Sequence, residues 1–314
     1  MKLVVFIPAL NEEKSISDVI LSIPRKINGI DKIEVLVIDD GSTDNTVDMA
    51  MNAGADKIVS HPSNMGIGAA FMTGIRNCIS MRADIAVIID ADHQFDAKDI
   101  PKLVIPILNN QLDVVLGSRW LEHKVKGIPA RNLLGNKICT KLISLVTGQK
   151  FTDTQSGFVA YSKNAFSNIS VVNDFTFVHE AILDLKFKGF RMGEVGVPVK
   201  YFEDRKSRVV KNVFNYGYRA LSIILKSMVF HRPIFTFGVM GIWLLFGGII
   251  AKIISITKIL GGGVSSELSS GIIILGIVSF MLGLFANVVF KRQAFTERNL
   301  RYYLNTEEKS KDNI

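Results

Sequence analysis

Two stretches of this 314-residue chain carry no charged residue: Ile234 to Ala251 and Gly271 to Phe290. Each is close to the roughly 20 residues a helix needs to cross a bilayer, and the first runs on in apolar character past Lys252. The connection, Thr257 to Ser270, contains Gly261-Gly262-Gly263 and is too short for a domain. Burying two such lengths inside a soluble protein would require a large additional core. The pattern therefore predicts a two-span membrane hairpin over residues 233–293. Arg232 precedes the first span and Lys291-Arg292 follow the second. The positive-inside rule then places both ends in the cytoplasm and the loop outside, in a multi-pass cell-membrane protein. A charged cytoplasmic tail, 294–314, is expected to fray from Glu297.

The hairpin holds most of the excess in a 48% hydrophobic composition, which leaves an ordinary soluble part ahead of it. Formal net charge is +8, with basic residues concentrated between Lys200 and Arg232 and at Lys291-Arg292. Basic clusters beside apolar segments fit an anionic membrane surface better than nucleic acid. From Val209 to Phe230, apolar residues such as Val213, Phe214, Leu221 and Leu225 recur at helical spacing among Arg208, Lys211, Arg219 and Lys226. Residues 206–232 are thus expected to form an amphipathic juxtamembrane segment, a packing helix of the soluble domain being the alternative. Cys78 and Cys139 are the only cysteines and permit no disulfide framework or zinc spacing, in keeping with a reduced cytosolic setting. The apolar N-terminus, Met1 to Pro8, runs into Asn11-Glu12-Glu13 without a small-residue cleavage site, so it reads as a first strand and not a signal peptide.

The soluble part, 1–205, alternates strand and helix signals. Strands are predicted at 2–8, 34–38, 57–59, 85–89 and 114–116, and later at 159–161 and 192–199. Helices are predicted from Asn11 as N-cap to about Ile27, to about Ala53, from Asn64 to Met81, from Asp99, and over 131–147 and 175–188. This order predicts a Rossmann-like, mostly parallel α/β sheet, in which ligands bind beyond the carboxyl ends of the strands. Pro8 to Asn11, Asp39-Asp40, Asp90-Ala91-Asp92 and Gly117-Ser118-Arg119 all fall at such ends.

The Asp90/Asp92 pair follows the apolar run Ile85 to Ile89. Unpaired carboxylates are costly inside a sheet, but just past its edge they can hold a hard divalent cation through oxygen, with Gln94 able to add another. His93 points the other way if the segment stays extended. Gly66 and Gly68 suit either a phosphate cradle or close helix packing. No first-strand GxGxxG and no GxxxxGK[ST] occurs, which excludes a Rossmann dehydrogenase and a P-loop NTPase. Arg119, Arg131, Arg205 and Arg208 offer bidentate donors for phosphate oxygens. His61, His123 and His231 have no partner by sequence. His179-Glu180, on a predicted helix, suits a structural or capping role as well as a catalytic one.

Taken in order, Pro8-Ala9-Leu10-Asn11-Glu12, Asp39 to Asp44, Asn64 to Gly68, Asp90-Ala91-Asp92-His93-Gln94 and Gly117-Ser118-Arg119 resemble the family-2 glycosyltransferases of the GT-A fold. Arg131, Asp153-Thr154-Gln155-Ser156-Gly157-Phe158 and the Arg205 to Arg208 segment extend the resemblance to the polyprenyl-phosphate sugar synthases, of the dolichyl-phosphate mannose synthase type, over about residues 1–230. The resemblance implies that Pro8, Asn11, Glu12, Asp39, Asp40, Gly66, Asp90 and Ala91 border a nucleotide diphosphate sugar, of GDP-mannose or UDP-glucose type. It implies Mg²⁺ or Mn²⁺ on Asp90, Asp92 and Gln94. It also implies that Arg119, Arg131, Arg205, Ser207 and Arg208 meet the phosphate of a polyprenyl or dolichyl acceptor, with Asp92, Arg119 and Asp153 as catalytic residues. Where that family often has Gly-x-Ser-Lys, this chain has Arg205-Lys206-Ser207-Arg208, which keeps the charge and not the glycine. The Gln-x-x-Arg-Trp motif of processive polysaccharide synthases is absent. The expected reaction is a metal-dependent, inverting transfer of a single hexose. Transfer to a glycan or protein hydroxyl and a non-catalytic membrane-tethered nucleotide-sugar-binding module are the alternatives. The two-span anchor is also compatible with a homo-oligomer.

Overall fold

The computed structural model describes residues 1–121, 130–171, 177–200, 232–257 and 265–311, with single positions between 222 and 229. The expected amphipathic helix and the Arg205 to Arg208 segment lie outside the described residues, as does the side chain of Arg131. The chain divides into two units, Met1–Ile224 and Leu225–Ile314.

The first unit is built on a seven-stranded sheet in the order β3-β2-β1-β4-β6-β5-β7. Its strands are β1 (Lys2–Ala9), β2 (Lys32–Asp39), β3 (Lys57–Ser60), β4 (Ile85–Ile88), β5 (Val114–Ser118), β6 (Val159–Ser162) and β7 (Met192–Gly196). β1 lies parallel between β2 and β4, and β5 lies parallel to β7. β6 enters between β4 and β5 and runs antiparallel to both. The mostly parallel expectation therefore holds with one reversed strand, and the reversal matters. An antiparallel β6 starts at the edge where its neighbours end, so the loop before it is delivered to that edge.

Side chains alternate across the strands. Leu3, Val5 and Ile7 of β1 join Val35, Val37, Ile85 and Val87 in a core shared with α1 (Ile16–Ser22) and the helix α4 (Ile100–Leu108). On the other face Phe6 meets Phe71 of α3 (Ile67–Ser80), and Phe71 stacks at 4.2 Å on Phe177, which opens the helix α7 (Phe177–Phe187). The remaining helices are α2 (Thr46–Asn52), α5 (Ala130–Thr147) and α6 (Lys163–Phe166). Helix α1 is shorter than expected. Asn11 does not cap it but adopts a left-handed conformation (φ 53°), and the helix starts only after Ser15. Short polar side chains serve such local turns as readily as helix caps.

The second unit pairs α8 (Pro233–Thr257) with α9 (Ser266–Lys311). Pro233–Thr257 and Ser266–Arg292 are long and apolar enough to cross a membrane, with mean hydropathies of 2.1 and 2.6. Only 17% of each apolar window is buried, unlike the core helix of a soluble protein. The helices meet through small residues, as lipid-embedded helices do. A Cβ on Gly241 would lie 2.8 Å from the carbonyl of Gly276. Ser279 Oγ donates to the Phe237 carbonyl at 2.9 Å. Helix α9 continues past Glu297 through Lys311.

Candidate active site

β1 stays paired with β2 through Ala9 but with β4 only through Phe6 and Ile88. Pro8 has no N–H to extend the ladder. The two strands part there, at the point where the sheet order reverses on either side of β1, and such a point is the usual ligand crevice of an open α/β sheet. Ile89 still donates to the Phe6 carbonyl at 3.3 Å, and Asp90, Ala91 and Asp92 follow immediately.

The segment does not stay extended. His93 takes a left-handed conformation (φ 57°), and Asp92 Oδ1 accepts the amide of Gln94 at 3.0 Å across the turn. The Gln94 carbonyl in turn accepts the amide of Lys200 at 2.9 Å, and Phe95 bridges to Val199. The chain leading to the Arg205 to Arg208 segment is thereby pinned beside the acid pair. Asp90 lies against Gly157, where a Cβ would sit 2.2 Å from its Oδ2. A side chain at this position would force that carboxylate to move. Two partly buried carboxylates offering hard oxygen donors fit Mg²⁺ or Mn²⁺. No group of three or more His, Cys, Asp or Glu able to hold a metal occurs among the described residues. A cation here would therefore need ligands from a substrate or water, as Mg²⁺ on phosphates commonly does.

The loop that places Gly157 also holds Arg119. Asp153 is fully buried and forms a bidentate pair with Arg119, at 2.6 Å from Nε to Oδ2 and 2.8 Å from Nη2 to Oδ1. Asp153 also accepts the amides of Arg119 and Gln155 at 3.2 Å each. A carboxylate so engaged is a support for Arg119. The structure thus sets Asp153, expected as a catalytic residue, directly against Arg119. The loop is anchored from β7 by Glu194, which accepts the amides of Thr152 and Asp153 at 2.8 Å each. Burial pushes the Glu194 carboxyl above its usual range, against the hydrogen bonds from Asp153 and Thr152, and the Asp153 charge raises it further. Ser118 and Thr152 hydroxyls meet at 2.6 Å. Nothing near Glu194 in the sequence signals this role.

At the other end of the edge, the carboxylates expected on the donor side are engaged with the chain itself. Asp39 Oδ1 accepts the Ser42 amide at 2.9 Å. Asp40 takes the amides of Met65 and Gly66 at 2.9 Å each and meets His61 Nδ1 at 2.7 Å. His61 Nε2 lies 2.9 Å from Thr73 Oγ1, so this histidine has the partners its sequence context did not reveal. Gly66, at φ 93°, serves this loop through its amide. Asn11 Oδ1 accepts the Thr43 amide at 2.8 Å, and the amide of Glu12 donates to Thr46 Oγ1 at 2.8 Å. These bonds knit the 10–13, 39–46 and 61–66 loops into one polar rim.

His179 is fully buried in α7, and both ring nitrogens lack a hydrogen-bond partner. Burial pulls its pKa down to about 4, against the opposing charge of Asp153. It is a neutral core residue at physiological pH.

Comparisons with known proteins give the family and the fold. The glycosyl transferase family 2 profile matches residues 4–170. The chain is 32% identical over 222 residues to a UDP-N-acetylglucosamine–dolichyl-phosphate N-acetylglucosaminyltransferase of Methanococcus voltae, covering 64% of this chain and 87% of that one. It is 28% identical over 226 residues to a dolichol-phosphate mannosyltransferase of Pyrococcus furiosus, covering 70% and 58%. Among solved structures, glucosyl-3-phosphoglycerate synthase of Mycobacterium tuberculosis is 25% identical with a TM-score of 0.54, covering 72% of this chain and 80% of that one. That synthase has also been solved with Mn²⁺, UDP-glucose and phosphoglyceric acid. The fold is GT-A, and the chain belongs to glycosyl transferase family 2 as a glycosyltransferase.

Proposed function

We propose that this enzyme transfers one hexose from a nucleotide diphosphate sugar to a polyprenyl phosphate at the cytoplasmic face of the membrane, inverting the anomeric centre. The observation that carries this reading is the 153–157 segment, which holds Arg119 through Asp153 and lies against Asp90 through Gly157. One short stretch thus couples a phosphate-type donor to the acid pair. Relatives named for transfer to dolichyl phosphate support the acceptor class.

An acceptor phosphate oxygen forms the new bond to the anomeric carbon, and the bond to the departing diphosphate breaks with its electron pair. A phosphate anion needs no base to remove a proton, unlike a sugar hydroxyl. The full engagement of Asp153 with Arg119 accords with that. The difficulty is to bring two anions together, which is a matter of positioning and electrostatics. Arg119 and Arg131 would take the acceptor phosphate. Arg205, Ser207 and Arg208 would join them, lying five to eight residues beyond the pinned Lys200, a reach of at most about 29 Å. Asp90 and Asp92, with Gln94, would hold Mg²⁺ or Mn²⁺, which when bound neutralises the donor diphosphate and stabilises it as leaving group. Pro8, Asn11, Glu12, Asp39, Asp40, Gly66 and Ala91 would shape the nucleotide side. The acceptor cannot leave the bilayer and the donor is water-soluble, so the amphipathic segment and the two spans would hold the site at the interface. Arg232 and Lys291-Arg292 support a cytoplasmic side for both termini.

The test is a panel of labelled GDP- and UDP-sugars incubated with polyprenyl phosphate and Mg²⁺ or Mn²⁺, followed by lipid extraction. Label entering the organic phase, and lost with chelator, is expected. Label found only in water-soluble or protein-bound product overturns the acceptor assignment.

A further inference from the structure

The geometry points to Asn136 as a positioning residue for transfer: its side-chain amide fixes Arg119 and Trp120 together at the mouth of the acceptor side. This rests on the functional reading above.

Arg119 and Trp120 follow the end of β5, in a turn with no ladder to hold it. Asn136 lies within α5, and its side chain is buried. With its amide oriented so that oxygen faces the two donors, Oδ1 accepts from Trp120 Nε1 at 3.2 Å and from Arg119 Nη2 at 3.3 Å, whereas the opposite orientation offers the amide nitrogen only Asp153 Oδ1, at 3.4 Å. In the former orientation the amide nitrogen donates to Thr140 Oγ1 at 3.0 Å, one helical turn along. Thr140 Oγ1 in turn accepts the amide of Thr154 at 3.3 Å, beside Asp153. One carbonyl oxygen thus serves two consecutive residues, and Nη2 is shared between Asp153 and Asn136.

The division of labour follows from the chemistry. Asp153 pairs with the guanidinium and sets its plane. Neutral Asn136 fixes the same group without adding a second negative charge. A second carboxylate here would hold the arginine equally well and repel a phosphate. Trp120, Leu133, Asn136, Lys137 and Thr152 line a small cavity of about 130 Å³ beside this turn. Displacing the indole would therefore also alter the wall next to Arg119.

The sequence contains two tryptophans, and Trp243 lies exposed in α8. In the full-length Trp243→Phe protein the only indole N–H signal belongs to Trp120. The expected result is that Asn136→Leu shifts this resonance and lowers kcat/KM for polyprenyl phosphate at least tenfold, with KM for the nucleotide sugar within twofold of the parent. Asn136→Asp retains the indole signal and most of kcat, but raises KM for the anionic acceptor. Thr140→Val, which removes the far partner of the amide and a hydroxyl beside Thr154 but touches neither Arg119 nor Trp120, stays within threefold. The assignment is overturned by an unshifted indole signal in Asn136→Leu, by equal losses on donor and acceptor, or by Thr140→Val matching Asn136→Leu. The indole signal is read without substrate. A parent enzyme inactive on polyprenyl phosphate would sink the functional reading, while the spectrum still decides whether Asn136 holds the turn.

Discussion

The two ends of the sheet's carboxyl edge are held by different forces. On the β1–β2–β3 side, loops are tied by short side chains to backbone amides: Asn11 to Thr43, Asp39 to Ser42, Asp40 to Met65 and Gly66. On the β5–β6–β7 side, a buried ion pair between Arg119 and Asp153 is propped by Glu194. Loops stitched through amides can lose one bond and keep their course. A buried pair cannot lose one partner without stranding the other. The proposed donor side is therefore tolerant and the acceptor side brittle, and the acid pair lies where they meet.

The largest effect is expected at that junction. Asp92→Ala should cut transfer by about 10³-fold, of the order seen when a major transition-state stabiliser is lost, and initial rates in the lipid-extraction assay measure it. The thermal midpoint should stay close to wild type, because Asp92 is partly exposed. Asp153→Ala sharpens the contrast between the two sides. Stranding a buried partner costs about 3–5 kcal/mol, so denaturant midpoints should fall markedly. Asn11→Ala, on the tolerant side, should cost only about 1 kcal/mol. Equal losses in these two variants would break the comparison.

Acid sensitivity should also concentrate on the brittle side. His179 has a pKa near 4 in the fold against an ordinary 6.5. The unfolded chain binds more protons between those values, so its contribution is complete above pH 6.5 and drains as pH falls, reaching roughly 3 kcal/mol by pH 4. His179→Leu should flatten stability over that window in denaturation at stepped pH. Glu194 acts in the opposite sense and more weakly. Its carboxyl is raised by burial, so its contribution is present below about pH 4.5 and lost as pH rises through the folded value. Glu194→Gln should remove that small slope.

The strand ends were legible because apolar runs stop at acids and glycines, a local pattern that places Asp39-Asp40, Asp90-Asp92 and Arg119 correctly. The two long apolar helices were legible from length and the lack of charge. What stayed hidden depends on distant partners. His61 meets an aspartate 21 positions away, and Arg119 one 34 positions away. The reversal of β6 is a matter of spatial order, which periodicity does not encode. Asn11 looked like a helix cap because the same polar side chain serves caps and left-handed turns alike. Glu194 resembled any acid on a strand until burial set it beneath Thr152 and Asp153.

The most direct measurement compares two acceptors that differ in one group. Labelled nucleotide sugar is offered to the full-length enzyme with either polyprenyl phosphate or the matching polyprenol. The expected result is label in lipid with the phosphate and none with the alcohol, and its loss in Arg119→Ala. Transfer to the alcohol, or to a water-soluble hydroxyl with polyprenyl phosphate left untouched, would contradict the account.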